Sequence, residues 1–262
     1  MVQFSLKGQV ALVTGVGANV GIGLATAKKL GEAGAILGIV ATSEDVYERA
    51  KELQSLGYTV RPYKLDLTKF DDVKTMTEDL RQAHGRIDIL VNNAGIGPRA
   101  ERSNLYGTLF VDLTEEEWDY QIAVNLKTAF NCIKTVLPTM IEQKYGRIVN
   151  MSSVTGTIVS SPTSTAYSAA KAAVSGLTKA LALEVAEYGI TVNAVCPGWI
   201  DTGRKLNPIA GAASPMKRAG RPEEVASLIL FLSSRESSYV TGQNVIIDGG
   251  NNLQEYKGKD DL

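Results

Sequence analysis

Short apolar runs alternate with longer amphipathic stretches along this chain. Runs of strand length cover residues 9–14, 35–41, 59–65, 87–92, 146–151, 190–196 and 244–248. The stretches between them have helical spacing, at residues 22–33, 44–56, 70–84, 115–143, 165–188 and 222–233. Continuous apolar strands that alternate with helices are typical of a parallel sheet covered on both faces. The pattern therefore predicts an α/β fold, a doubly wound parallel sheet of the Rossmann type with about seven strands.

The same pattern predicts a single domain. No low-complexity segment, repeat or Pro/Ser-rich linker interrupts the alternation before residue 250. A chain of 262 residues, 44% of them hydrophobic, is long enough to bury one large core. We expect one dinucleotide-binding and catalytic domain over residues 1–250, followed by a polar tail over residues 251–262.

Charge and hydropathy narrow the choice of partners. The chain has 27 basic and 28 acidic residues, a net charge of -1, and no basic block. Nucleic acid and anionic membrane surfaces are therefore not expected to bind. We expect neither a secretory leader nor a membrane span, because residues 1–9 show no basic stretch followed by an apolar one and no run approaches the roughly 20 apolar residues that a span needs. A cytoplasmic protein with a small-molecule partner is expected.

Cysteine and histidine are too scarce for several kinds of site. Cys132 and Cys196 lie in apolar segments without CxxC spacing, which predicts buried thiols. His84 is the only histidine, so neither a Ser-His-Asp triad nor a histidine-based zinc site is expected, and no metal site is predicted.

A glycine-rich turn joins the first predicted strand to the first helix. It reads Thr-Gly-Val-Gly-Ala-Asn-Val-Gly-Ile-Gly over residues 14–23. Glycines at this point let the backbone approach a pyrophosphate, which binds the N–H groups at the start of the helix. We expect Gly15, Asn19, Gly21 and Ile22 to contact a dinucleotide.

The end of the second strand bears on which dinucleotide binds. An acidic side chain at this position binds the ribose hydroxyls of NAD, whereas this chain has Ala41, Thr42 and Ser43. The missing carboxylate permits NADP(H), and the hydroxyls of Thr42 and Ser43 could bind its 2′-phosphate. However, no Arg or Lys stands in the glycine turn or directly after the strand. NADP(H) is favoured over NAD(H).

Two further strand ends are expected at the cofactor cleft. Asp66 and Leu67 follow the third strand, where the carboxylate could bind the adenine amino group, cap the next helix, or do both. Asn93, Ala94 and Gly95 follow the fourth strand, where small residues let the backbone lie against a ribose.

Tyr167 and Lys171 stand four residues apart in an Ala-rich stretch with Ser164 or Thr165 as its N-cap. The spacing places both side chains on one helical face. A neighbouring ammonium would lower the pKa of the phenol and make it a usable general acid or base. Ser153 follows the fifth strand, and its hydroxyl could bind a substrate carbonyl oxygen at the same edge.

Taken together, these motifs resemble the short-chain dehydrogenase/reductase family over residues 8–250. The motifs that carry the resemblance are Thr14-Gly15 with Gly21-Ile22-Gly23, Asp66, Asn92–Gly95, Asn125, Ser153, Tyr167 with Lys171, Pro197–Thr202 and Ile247–Gly250. The glycine turn departs from the family pattern, since five residues separate Gly15 from Gly21 instead of the usual three.

The resemblance implies a role for each site residue. Tyr167 would be the general acid and base, Lys171 would lower its pKa and hold the nicotinamide ribose, and Ser153 would orient the substrate oxygen. Asn125 would position a water that relays protons. The Pro197–Thr202 motif would bind the nicotinamide half of the cofactor through the residues Pro197, Gly198, Ile200 and Thr202.

A hydride-transferring oxidoreductase that acts on a ketone and its secondary alcohol is the resulting interpretation. Two segments are expected to shape its substrate site: residues 96–115, with Arg99, Arg102, Tyr106 and Phe110, and residues 203–215, with Arg204, Lys205 and Asn207. Both could supply positive charge for a polar substrate.

Three alternatives stay open. The stretch at residues 40–44 also resembles 3-oxoacyl-[acyl-carrier-protein] reductases, although Glu184 and Glu187 are acidic where an acidic carrier would need basic residues. Sugar, polyol or hydroxysteroid substrates are also possible. A non-catalytic dinucleotide sensor with the same fold is the alternative of another class.

A homotetramer, or a homodimer, is implied by the same resemblance. The contact would use the helices predicted at residues 115–143 and 165–188, whose small residues allow close packing. Those of the second helix are Ala169, Ala170, Ala173 and Gly176.

Overall fold

The computed structural model describes residues 4–95, 107–203 and 211–254. Its seven strands are all parallel and form one sheet in the order β3-β2-β1-β4-β5-β6-β7. The strands are β1 Val10–Thr14, β2 Ile36–Ala41, β3 Val60–Lys64, β4 Ile89–Asn92, β5 Gly146–Met151, β6 Ile190–Pro197 and β7 Asn244–Ile247. The predicted doubly wound sheet of seven strands is confirmed.

Helices cover both faces of this sheet. They are α1 Ile22–Glu32, α2 Asp45–Ser55, α3 Phe70–His84, α4 Glu115–Ile122, α5 Thr128–Gln143, α6 Thr165–Val185 and α7 Pro222–Ser233. Apolar side chains of α1, α2 and α7 pack on one face, and those of α3, α5 and α6 pack on the other. No helix in the described ranges is both long enough and apolar enough to cross a membrane.

The sequence of β1 shows how the two cores are built. Val10 and Leu12 belong to one apolar cluster, whereas Ala11 and Val13 belong to the other. Side chains of a strand point alternately to opposite faces, so a continuously apolar strand fills both cores. Cys132 and Cys196 are buried and free, as predicted.

The strand order places a crevice beside β1. Chain connections run from β1 to β2 on one side and reach β4 on the other, so β1 is the point where the winding direction changes. Ligands of open α/β sheets bind at such a point, outside the carboxyl ends of the strands. The ends of β1, β4, β5 and β6 therefore define where the functional site is expected.

The helical stretch predicted at residues 115–143 contains an irregular turn. Thr114 caps α4 through a reciprocal capping box with Glu117. Between α4 and α5, Ala123–Lys127 forms a π-helical turn that interrupts the α-helical hydrogen bonding. Single π turns inside longer helices are frequent at functional sites. This one contains Asn125.

At the C-terminal end, the described chain continues past β7. Asn251–Leu253 forms a 3-10 turn in which Asn251 is buried, and Gln254 donates a hydrogen bond to the main-chain oxygen of Ala213 at 2.9 Å. The domain boundary near residue 250 stays a prediction.

Candidate active site

A cavity of about 350 Å³ opens at the carboxyl ends of β1, β4, β5 and β6. Many of the residues expected at the site line it: Gly15, Gly21, Ile22, Asn93, Ala94, Gly95, Asn125, Ser153, Tyr167, Lys171, Pro197, Gly198, Ile200 and Thr202. Residues of the glycine turn and of α6, the helix that carries Tyr167 and Lys171, thus line the same cavity although they are far apart in sequence.

Thr14 and Asn93 hold the glycine turn against the end of β4. The Thr14 hydroxyl accepts hydrogen bonds from the main-chain N–H groups of Asn93 and Ala94 at 3.0 and 2.9 Å. In return, Asn93 Nδ2 donates to the main-chain oxygens of Thr14 and Gly15 at 2.9 and 3.2 Å. The Asn93 amide therefore positions the turn, and the contact of its main chain with the cofactor stays a prediction.

Glycine is required where the turn meets α1. Gly15 has a φ of 75°, and a Cβ atom on Gly23 would stand 2.4 Å from the Gly15 oxygen. Gly21, the N-cap residue, has no side chain that could cover the first N–H groups of α1, and the first turn carries no acidic residue. These features fit a pyrophosphate, because helix N-termini bind anions through exposed N–H groups.

Lys171 is buried beside Tyr167 in α6, which Ser164 precedes as the N-cap residue. Only 4% of Lys171 is exposed, and its Nζ atom donates a hydrogen bond to the main-chain oxygen of Met151 at 2.9 Å. The same Nζ atom lies 5.6 Å from the centre of the Tyr167 ring. The predicted helical pairing of the two side chains is thus present at the cavity.

Burial changes the pKa of both members of this pair. It lowers the pKa of Lys171 to about 8, because removing an ammonium from water disfavours its charged form. It raises the pKa of the Tyr167 phenol, an effect that a hydrogen bond with Ser153 opposes. The net direction of the Tyr167 pKa shift is therefore opposite to the lowering that the sequence predicted, because burial is its largest cause.

Ser153 has a defined orientation at the end of β5. Its Oγ atom caps the short helical turn Val154–Thr157 by accepting a hydrogen bond from Thr155 N–H at 3.1 Å. Because that bond uses an acceptor position of the oxygen, the hydroxyl hydrogen remains available for donation. Ser153 can therefore donate to Tyr167 or to a substrate oxygen.

Asn125 reaches the site from the π turn. Its Nδ2 atom donates to the main-chain oxygen and to Oε1 of Gln121, at 3.1 and 2.9 Å. A Cβ atom on Gly95 would stand 2.7 Å from Asn125 Oδ1 and 3.3 Å from Lys171 Nζ. Asn125 and Lys171 thus pack against the same glycine, and together with Ser153 and Tyr167 they line one cavity.

Five of the expected cofactor residues do not line the cavity. Asp66 Oδ1 accepts hydrogen bonds from the main-chain N–H and the hydroxyl of Thr68 within the turn after β3. Since α3 begins at Phe70 with Lys69 as its N-cap residue and no side-chain cap, the predicted capping of this helix by Asp66 is wrong. The main-chain oxygen of Leu67 accepts a hydrogen bond from Asn131 Nδ2 at 2.8 Å. The other three, Asn19, Thr42 and Ser43, are exposed residues near the carboxyl ends of β1 and β2. All five keep their cofactor roles as predictions.

Of the residues expected to bind substrate, Phe110 lies in a 3-10 turn and is 68% exposed. The remaining ones lie outside the described residues: Arg99, Arg102, Tyr106, Arg204, Lys205 and Asn207.

Several cavity residues were missed by the sequence reasoning, namely Ala18, Val20, Gly23, Leu24, Met151, Ser152 and Trp199. Trp199 stands between the predicted contacts Gly198 and Ile200, and this position was the available signal in the sequence. In the structure Trp199 is 41% exposed.

Comparisons with known proteins agree with this geometry. A family model described as "Enoyl-(Acyl carrier protein) reductase" matches residues 15–252. The chain is 45% identical to the 3-oxoacyl-[acyl-carrier-protein] reductase FabG of Thermotoga maritima over 252 residues, 94% of this chain and 98% of that protein. It is 42% identical to the oxidoreductase UcpA of Salmonella typhimurium over 264 residues, 95% of this chain and 97% of that protein.

Among solved structures, a 3-oxoacyl-[acyl-carrier protein] reductase of Brucella melitensis with bound NAD superimposes with a TM-score of 0.88. It is 37% identical, and the match covers 97% of this chain and 94% of that one. Since fold, site geometry, family model and relatives agree over nearly the whole length, this chain belongs to the short-chain dehydrogenase/reductase family, whose members are oxidoreductases that use a nicotinamide dinucleotide.

Proposed function

We propose that this protein interconverts a ketone and its secondary alcohol, with Ser153, Tyr167, Lys171 and Asn125 as its catalytic group and NADP(H) as its preferred cofactor. The observation that carries the proposal is the position of the buried Lys171 ammonium 5.6 Å from the centre of the Tyr167 ring, in the cavity that Ser153 also lines. We expect the protein to act in the cytoplasm on a small-molecule substrate.

In the reducing direction, Ser153 and Tyr167 donate hydrogen bonds to the substrate carbonyl oxygen. When bound, the nicotinamide ring supplies the hydride in reduction and accepts it in oxidation. Tyr167 then transfers its proton to the oxygen that has gained negative charge. Because burial raises the pKa of Tyr167, the phenol is protonated at neutral pH, as an acid catalyst must be.

The phenolate that remains needs stabilisation. Ser153 donates to it, and Lys171 supplies a positive charge beside the ring. Asn125 packs against the same Gly95 as Lys171. Its proposed role is to position a water that returns a proton to Tyr167.

The NADP(H) preference rests on the end of β2. Ala41, Thr42 and Ser43 present no carboxylate there, and a carboxylate would repel a 2′-phosphate. Because the Brucella melitensis relative holds NAD, this preference is argued from the chain's own residues alone.

Carrier-bound 3-oxoacyl groups are the second candidate substrate, and the 45% identity to FabG favours them. The acidic residues Glu184 and Glu187 remain the argument against them. Glu184 lies at the C-terminal end of α6 and Glu187 in the 3-10 turn that follows, whereas Tyr167 lies in the first turn of α6. At 1.5 Å per residue, Glu184 is about 25 Å along the helix from Tyr167.

A homotetramer, or a homodimer, is proposed from an apolar groove of about 410 Å³ between the π turn, α5 and α6. Its lining residues are Ile122, Leu126, Lys127, Phe130, Ala173 and Leu177. Phe130 is 49% exposed, and a side chain on Gly176 would meet no atom within 4 Å. Ala170, which the sequence reasoning counted with this face, is fully buried within the chain and cannot contribute.

The test follows NADPH and NADH oxidation with free ketones, sugars and a carrier-linked 3-oxoacyl thioester. Tyr167→Phe should lower turnover by roughly 10²–10⁴-fold with cofactor affinity unchanged, because only the proton transfer is removed. Tyr239→Phe, at a fully exposed tyrosine, serves as the control. Cofactor binding without turnover of any carbonyl would favour the sensor, and a Tyr167→Phe enzyme of normal rate would refute the mechanism.

A further inference from the structure

The ends of β2 and β3 carry an ion pair that the sequence reasoning did not anticipate. Lys64, the last residue of β3, is the register partner of Ala41, the last residue of β2. Its ammonium pairs with the carboxylate of Glu44, which immediately precedes α2. From this arrangement we propose that Lys64 is the cation that binds the 2′-phosphate of NADP(H), and that Glu44 competes with the phosphate for it.

The position of Lys64 relative to the glycine turn supports this role. Val16 N–H donates to the Val40 oxygen at 2.9 Å, and a Cβ atom on Gly17 would stand 3.2 Å from the Ala41 Cβ atom. The turn therefore lies on Ala41. Register partners in a parallel pair direct their side chains to the same face of the sheet, so Lys64 emerges on the face that the turn covers.

The positions of Lys64 and Glu44 along the chain explain why this cation was not evident from the sequence. Lys64 lies at the end of a different strand from the one at which NADP(H) specificity is usually sought, and 20 residues separate it from Glu44. Only the pairing of β2 with β3 brings Lys64 to the strand end that Thr42 and Ser43 follow. The pair is exposed, with 42% of the Lys64 side chain and 73% of the Glu44 side chain accessible.

Two carboxylates hold the polar groups that a phosphate would use. Glu44 binds Lys64, and Asp45 accepts a hydrogen bond from the Ser43 hydroxyl at 2.9 Å. Exposed ion pairs contribute little net stability, so a phosphate dianion can replace Glu44 at small cost. The competition still weakens 2′-phosphate binding, and we therefore expect a modest preference for NADP(H) over NAD(H).

The inference rests on the proposed use of a nicotinamide dinucleotide, and it is tested by binding, without turnover. Dissociation constants are measured by fluorescence titration for NADPH and NADH, and by competition for 2′,5′-ADP and 5′-AMP. Lys64→Met should weaken NADPH and 2′,5′-ADP by about tenfold and leave NADH and 5′-AMP within about twofold. Glu44→Gln should strengthen the two 2′-phosphate ligands by about threefold to tenfold.

The pair formed by Lys51 and Glu48 on α2 is a matched control, since it is also exposed and also a Lys–Glu contact, at 3.0 Å. Lys51→Met and Glu48→Gln should change all four dissociation constants by less than about twofold. In the double variant Lys64→Met/Glu44→Gln, the gain from Glu44→Gln should disappear, because the cation on which Glu44 acts is gone.

The outcomes separate this inference from the proposed function. If neither dinucleotide binds the wild-type protein, both proposals fail. If both bind but Lys64→Met weakens NADPH and NADH equally, or changes neither, the role of Lys64 is refuted while the enzyme assignment stands. A gain from Glu44→Gln that persists without Lys64 would overturn the competition between Glu44 and phosphate.

Discussion

The Lys171 ammonium donates a hydrogen bond to the main-chain oxygen of Met151 at 2.9 Å, and this contact ties α6 to the end of β5. Met151 is followed by Ser152 and Ser153, so the lysine braces the segment that presents the Ser153 hydroxyl. The bond does not neutralise the charge, since a carbonyl oxygen is not ionised. Lys171 is therefore a buried cation that is kept at some cost to folding, which fits the role in the reaction that we propose for it.

Lys171→Met should make unfolding less dependent on pH. The folded-state pKa of Lys171 is about 8, below its ordinary value of 10.5. Between these values the unfolded chain binds more protons, so wild-type stability rises with pH in this window, and the burial penalty is complete below it. Urea unfolding at about pH 7.5 and about pH 10 should show this rise only in the wild type. Equal pH dependence in both proteins would contradict the shift.

Asn93→Ala should loosen the glycine turn. It removes the two hydrogen bonds to the oxygens of Thr14 and Gly15. We expect a loss of about 1–3 kcal/mol in the free energy of unfolding and a cofactor dissociation constant raised about tenfold. Asn193→Ala is the control, because Asn193 Nδ2 also donates to a main-chain oxygen, that of Val240, but does not line the cavity. Equal cofactor losses in both variants would show that Asn93 has no local role.

Gly95→Ala should disturb the catalytic group without straining the backbone, since the φ of Gly95 is not positive. The added methyl group would overlap Asn125 Oδ1 at 2.7 Å and crowd Lys171 Nζ at 3.3 Å. Turnover should fall by about tenfold or more, since small displacements of catalytic groups are costly. Steady-state kinetics with unfolding measured in parallel would check this. Unchanged turnover would mean that small displacements of Asn125 and Lys171 do not affect catalysis.

Phe130→Asp should reduce the size of the assembly. A charge placed in the apolar groove between α5 and α6 would be buried without a partner if a second copy covers it. Light scattering should then report a smaller species than for the wild type. Phe70→Asp is the matched control, because Phe70 is 39% exposed on α3, outside that groove. If the assembly is unchanged, a different surface holds the subunits together.

The sheet and much of the lining of the candidate site could be predicted because several motifs follow an apolar strand, and parallel strands end at one edge. Lys64 could not be predicted in the same way, since the register of β2 and β3 decides which side chains meet. The pKa direction of Tyr167 was missed for a similar reason. Spacing reveals its neighbour Lys171, but the burial that dominates depends on the packing of the whole cavity.

The π turn Ala123–Lys127 has a consequence for how this helix can vary. A π turn adds one residue to an α-helix, and each residue of an α-helix turns the chain by about 100°. Deleting one residue here would yield a regular helix that keeps α4 and α5 in place but rotates Asn125 away from Gly95. Such a protein should gain stability and lose proton transfer. A single deletion in the π turn is thus expected to preserve the fold and to remove the proposed proton transfer.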